Sequence, residues 1–229
     1  MDVKSGFAFI YGIDFIRKLY YNQFSVRKTY GGTQMNQFKD IIPTITGILF
    51  LLVNVIAVLS AWITDTHRYD LGISFSAYVG LSRSTSVVWF VSAVIIIAML
   101  TYYIAKTKII LIQKIIYAVV LLCILGTALF PYNYFSETPT AVTINLHNDF
   151  AICLMLMTTV SFILSAIFSK IPKQRVGSLL SILYAVAFIV LYFARFKPLF
   201  QTFFIWENVF ILLLLLEMQS EQYSAIKAE

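Results

Sequence analysis

The chain has 229 residues, 60% of them hydrophobic and only 12% charged, with a mean hydropathy of +0.84. So little polar surface excludes a soluble globular domain of this length and points to an integral membrane protein. The formal net charge of +6 is spread along connecting segments rather than gathered into a patch, so no nucleic-acid partner is expected.

In chain order, residues 1–40 come first and are polar and aromatic, and no cleavable leader is expected there. In "FIYGIDFIRKLYYNQFSVRK", Phe9, Ile13, Ile16, Tyr20 and Phe24 recur at helical spacing, with Asp14, Arg17, Lys18, Tyr21 and Ser25 on the opposite face. The pattern predicts a basic amphipathic helix lying in the inner headgroup layer, as an anchor or a partner-docking arm. Met35 opens "MNQFKDIIP", a second candidate start, which would make residues 1–34 an optional extension.

Six apolar runs come next, each near the ~20 residues that a helix needs to cross the hydrocarbon layer. They are Ile41–Ile63, Thr85–Ala105, Ile109–Phe130, Phe150–Phe168, Val176–Ala194 and Leu199–Leu216. Lipid leaves only helices or closed barrels, and these runs lack the alternation of barrel strands. The expected fold is therefore all-α: a six-helix transmembrane bundle over residues 41–218, preceded by the amphipathic arm and followed by a tail at 219–229. Lys114 stands alone in the third run and should reach the headgroups. "RFKP" joins the last two runs as a tight helical hairpin.

Alternating the connections between two sides puts thirteen lysines and arginines on the side of the N-terminus and four on the other. The positive-inside bias then predicts both termini in the cytoplasm of what reads as a bacterial plasma membrane. The two longest connections, Thr64–Ser84 and Pro131–Asp149, face outward on this topology, and long connections are where function concentrates.

Ionisable and amide side chains inside apolar runs mark candidate sites. Glu207, in "FIWENVF", is the clearest, about 12 Å below the outer end if the helix starts at Leu199. Asn208 adjoins it, and Asn54 of the first run should lie at similar depth. These three either clamp the helices together or bind a proton, a cation or a ligand. His147 and Asp149 flank Asn148 at the outer entrance of the fourth run. Asn148 and Asp149 read as helix caps, and His147 either bonds a loop or shares the outer mouth with Glu207. Arg83 tops the second run, where its fork suits a lipid phosphate or the Glu207 carboxylate. No metal and no cofactor are expected. "TDTHRYD" matches no ligand spacing, and neither a GxSxG turn nor a phosphate loop occurs. Cys123 and Cys153, both inside apolar runs, read as small hydrophobes rather than a disulfide.

Two segments carry a family likeness. "LGISFSAYVGLSRSTSVVWFVSAVIIIAMLTYYIA" resembles the second span, and the loop before it, of the six-span DRAM/FRAG-type membrane proteins. "GTALFPYNYFSETPTAVTINLHNDFA" resembles their third-span exit, with Phe130, Pro131 and then His147 opening the fourth span. The likeness covers roughly residues 41–216. Where the family also shows Phe-Gln, this chain has Phe-Pro, which sets it beside the prokaryotic relatives of undefined function. The resemblance implies a compact six-helix bundle with a polar outer pocket containing His147, and a role in lipid handling or membrane-protein regulation.

The functional expectation is binding of a lipid or amphiphile in an outward-facing pocket lined by Arg83, His147, Asp149, Glu207, Asn208 and Asn54. Membrane lipids are the expected partners, with a membrane-protein partner or a second copy of the chain as further candidates. Two other classes stand beside this one. The first is a membrane-embedded hydrolase or transferase using His147 with a carboxylate, for which no nucleophile or metal is evident, so no catalytic residue is assigned. The second is a small proton-coupled transporter or a structural subunit of a membrane complex.

Overall fold

The computed structural model describes residues 34–64, 74–80, 83–130, 141–169, 171–197, 199 and 202–227. By internal contacts the chain forms two units, Met1–Phe38 and Lys39–Glu229. The expected amphipathic helix falls within residues 1–33, outside the described residues.

Among the described residues the structure is helical, with no strand. The helices are α1 (Gln34–Thr64), α2 (Phe75–Gly80), α3 (Arg83–Lys106), α4 (Leu111–Leu129), α5 (Ala141–Phe168), α6 (Pro172–Phe193) and α7 (Phe203–Lys227). All but α2 are long and apolar enough to cross a membrane. Apolar runs of this length adopt helix in lipid because each backbone N–H and C=O then finds its partner within the run.

The distribution of side chains fits a lipid solvent. Large apolar residues such as Leu52, Leu122 and Leu183 are more than half exposed, whereas Thr158, Ser161 and Ser178 are fully enclosed. Water gives the reverse arrangement. In a bilayer the apolar exterior costs nothing, and small or hydroxyl side chains let helices approach and bond to one another.

Helices α3 to α7 pack as sequence neighbours, and α5 also touches α7. Short α2 lies against α3 and α7. Helix α1 reaches α2 and α3 through Phe50, whose ring lies 5.5 Å from Phe75 and 6.4 Å from Trp89. It reaches α7 at Gly47, where a Cβ would stand 3.6 Å from Leu215 Cδ1. The bundle thus has an α2 end, at which the short helix sits, and an opposite, far end.

Several boundaries differ from the sequence expectation, among them the start of α1 at Gln34 rather than Ile41. Helix α5 begins at Ala141 rather than near Phe150, so Asn148 and Asp149 are interior helical residues and not caps. Both are exposed while His147 is buried; the polar residues share an outward face, and this lets the helix continue past its apolar run. Helix α6 begins at Pro172, a residue suited to the first turn because its missing N–H would have no partner there. Helix α7 begins at Phe203 rather than Leu199 and runs to Lys227, which brings Glu217 inside the helix instead of at the edge of a tail.

The connection from α6 closes in a Schellman arrangement. Phe196 N–H donates to Leu191 O at 3.0 Å and Arg195 N–H to Tyr192 O at 3.1 Å. That geometry requires a left-handed residue, usually glycine, and here Arg195 occupies it with φ of 51°.

Candidate functional site

At the α2 end, six residues form a helix too short to persist alone, so both of its termini are held from outside. Phe75 N–H, at the first position of α2, donates to Glu207 Oε2 at 2.8 Å. At the other terminus, Val79 O accepts from the hydroxyls of Thr85 at 2.8 Å and Ser86 at 2.9 Å. The Phe75 ring fills the gap between α1 and α3, 4.9 Å from Trp89 and edge-on to it. Glu207 thus anchors α2 with one carboxylate oxygen. It stands four residues into α7, about 6 Å from the helix start at 1.5 Å per residue.

Asn54 and Asn208 are built alike. Each amide donates back one turn along its own helix, Asn54 Nδ2 to Phe50 O at 2.8 Å and Asn208 Nδ2 to Phe204 O at 2.8 Å. These bonds fix the amide orientation, since the flipped form would set oxygen against oxygen. Both side chains are buried, and in both the Oδ1 atom has no hydrogen-bond partner.

The register of α1 against α7 puts the two amides at one level. The helices are antiparallel, because Phe50 and Glu207 both reach Phe75 while Gly47 meets Leu215. From Gly47, seven residues toward α2 is Asn54; from Leu215, seven residues toward α2 is Asn208. Seven residues is about two turns, which returns each helix to nearly the same face. On this register Asn54 falls at the level of Asn208, the residue after Glu207.

His147 and Asp149 serve other neighbours. His147 is buried at 4% exposure, with Nδ1 2.7 Å from Phe130 O, the cap residue of α4. It satisfies a helix-terminal carbonyl, as a loop-bonding histidine does. Around it α4 and α5 are pressed together: a Cβ on Gly126 would fall 2.3 Å from the Phe150 ring, which stacks on Phe130 at 6.0 Å. Asp149 is exposed. Arg83 opens α3, and its side chain lies outside the described residues.

A second polar cluster, which sequence reasoning missed, occupies the far end. Glu217 is 5% exposed and its Oε1 lies 2.6 Å from Ser178 Oγ of α6; Ser165 of α5 also hydrogen-bonds the same carboxyl. One acidic side chain therefore ties three helices. Ser178 Oγ is in turn 3.0 Å from Gln174 O, and Gln174 Oε1 accepts from Ser169 Oγ at 2.8 Å. Gln113 Nε2 of α4 donates to Ser161 Oγ at 2.9 Å, and Tyr103 OH of α3 donates to Met218 O. A signal was present in the spacing. Ser161, Ser165 and Ser169 recur every fourth residue, as do Gln174 and Ser178, so each set lies on one helical face.

Among the described residues no three His, Cys, Asp or Glu side chains gather as metal ligands, and Cys123 and Cys153 are free thiols. Compared with family models, curated proteins and solved structures, the chain matches none.

Proposed function

We propose that this membrane protein binds a lipid or other amphiphile, with the polar head at the α2 end and the apolar part along the bundle. One observation carries the reading: the buried Oδ1 atoms of Asn54 and Asn208, which the register of α1 against α7 brings to the level of Glu207, have no hydrogen-bond partner. Buried polar atoms are nearly always paired, and a pair of orphans beside a carboxylate is what a ligand would complete. Arg83, at the same end, is assigned to an anionic part of the head such as a phosphate.

On the positive-inside count the α2 end faces outward and the far end the cytoplasm. Cysteines placed at Asn133 and Thr138 should then react with an impermeant thiol reagent from outside, and one at Lys173 should not. Kinship with the DRAM/FRAG-type proteins and a bacterial plasma membrane belong to the same proposal. Native mass spectrometry of the gently extracted protein tests the binding itself. Lipid adducts should accompany the wild-type chain and diminish in Glu207→Gln and Arg83→Ala; equal adducts on all three chains would defeat the reading.

A second reading, proton-coupled transport, is favoured by Glu217. It and Glu207 are ten residues apart on one helix, about 15 Å along the axis, so a carboxylate stands near each end of the apolar span Phe203–Ser220. Acid-driven uptake into vesicles that disappears in both Glu207→Gln and Glu217→Gln would select this reading over binding alone.

A further inference from the structure

The donors missing at the α2 end specify the ligand's chemistry. Asn54 and Asn208 each commit one amide N–H to their own helix, and the atom left buried without any partner in each is Oδ1. Glu207 has one oxygen engaged by Phe75 N–H and keeps the rest of its lone pairs, since a carboxylate accepts about four hydrogen bonds. What the trio leaves unmet is thus acceptors, two neutral and one acidic, next to Phe50 and Phe75, whose backbones bond Asn54 and Glu207.

We infer that this trio receives a primary ammonium group, the head of an amine-bearing membrane amphiphile. The inference rests on the ligand-binding reading above and names the head that it leaves open. An ammonium brings three N–H donors and one positive charge, which matches two amide oxygens and a carboxylate. A phosphate or carboxylate would bring more acceptors to these unpaired oxygens and be repelled by the Glu207 carboxylate. A hydroxyl carries a single donor and no charge. A trimethylammonium carries the charge but no N–H, so both amide oxygens would stay unpaired. A hard metal ion takes about six or more oxygens in its shell, more than these three side chains supply. Low polarity around the site strengthens the charge-assisted bonds. Glu207 and Asn208 are also four and five residues past the start of α7, about 6–8 Å, a depth that a headgroup reaches from the interface.

The test uses the full chain in nanodiscs of phosphatidylcholine, which has no primary amine. Dodecylamine, dodecyltrimethylammonium and dodecanol are titrated in, with tryptophan emission as readout, since Trp206 adjoins Glu207 and Trp89 lies against Phe75. Empty nanodiscs give the partitioning background. Dodecylamine should bind saturably and at least tenfold more tightly than the other two. Glu207→Gln and Asn54→Leu should each weaken it at least tenfold. Dodecanol or the quaternary amine binding as tightly as dodecylamine, with the same loss in Glu207→Gln, would overturn the ammonium assignment and leave amphiphile binding standing. Displacement of dodecylamine by equimolar ethylamine would keep the ammonium and overturn its membrane source. No saturable binding of any probe would overturn both. The comparison of probes is made on the unaltered chain, so it decides the matter even where a variant fails to fold.

Discussion

Helix α7 carries three acidic residues, and the bundle treats two of them, Glu207 and Glu217, differently. At the far end Glu217 is met by hydroxyls from α5 and α6 and joins three helices. At the α2 end Glu207 receives one backbone N–H, and the amides that share its level keep unpaired oxygens. A carboxyl bonded from two other helices holds the fold together. One left with spare acceptors among buried amides is available to something that brings donors. The two ends thus contrast a carboxyl that ties three helices with one that anchors α2.

The largest expected effect belongs to the far end. Glu217→Ala removes the carboxyl that Ser165 and Ser178 share and opens space between three helices, which should destabilise the bundle by about 2–3 kcal/mol. Denaturation in mixed micelles would read this, and an unchanged midpoint would remove Glu217 from the structural role. Next comes Gly126→Ala, because its Cβ overlaps the Phe150 ring. The ring must shift, at a cost of roughly 1–3 kcal/mol, measurable by the same unfolding curve. Gly177 is the control, since a Cβ there meets nothing within 4 Å, and Gly177→Ala should gain a few tenths of a kcal/mol up to about 1 kcal/mol from helix propensity.

Glu207→Gln sharpens the comparison from the other side. Glutamine keeps an acceptor for Phe75 N–H, so the unfolding midpoint should move by less than about 1 kcal/mol while lipid adducts fall. A loss of stability matching that of Glu217→Ala would make both carboxyls structural. The smallest effect is expected at Arg195. Its left-handed φ suits glycine better, so Arg195→Gly should stabilise by up to about 1 kcal/mol in the same assay.

The helices were legible because each is a local property: twenty apolar residues without charge are a span wherever they occur. Glu207, Asn54 and Asn208 were legible for the same reason, as polar residues inside such runs. His147 was visible as a residue but not as a role. Whether it faced Glu207 or capped α4 depended on how α5 rotates against α4, and that rotation is set by Gly126 meeting Phe150. Glu217 escaped notice because the apolar run ends one residue before it, while the helix continues because tertiary contacts sustain it.

From composition and periodicity alone came the lipid solvent, the helical class, the number of spans and the rarity of the polar residues that matter. Hydrophobicity and charge act residue by residue, so they can be read without knowing neighbours. Partnership could not be read that way. Which acceptors go unpaired, which carboxyl joins three helices and which anchors α2 depend on helix register and rotation, and these emerge only when distant segments pack.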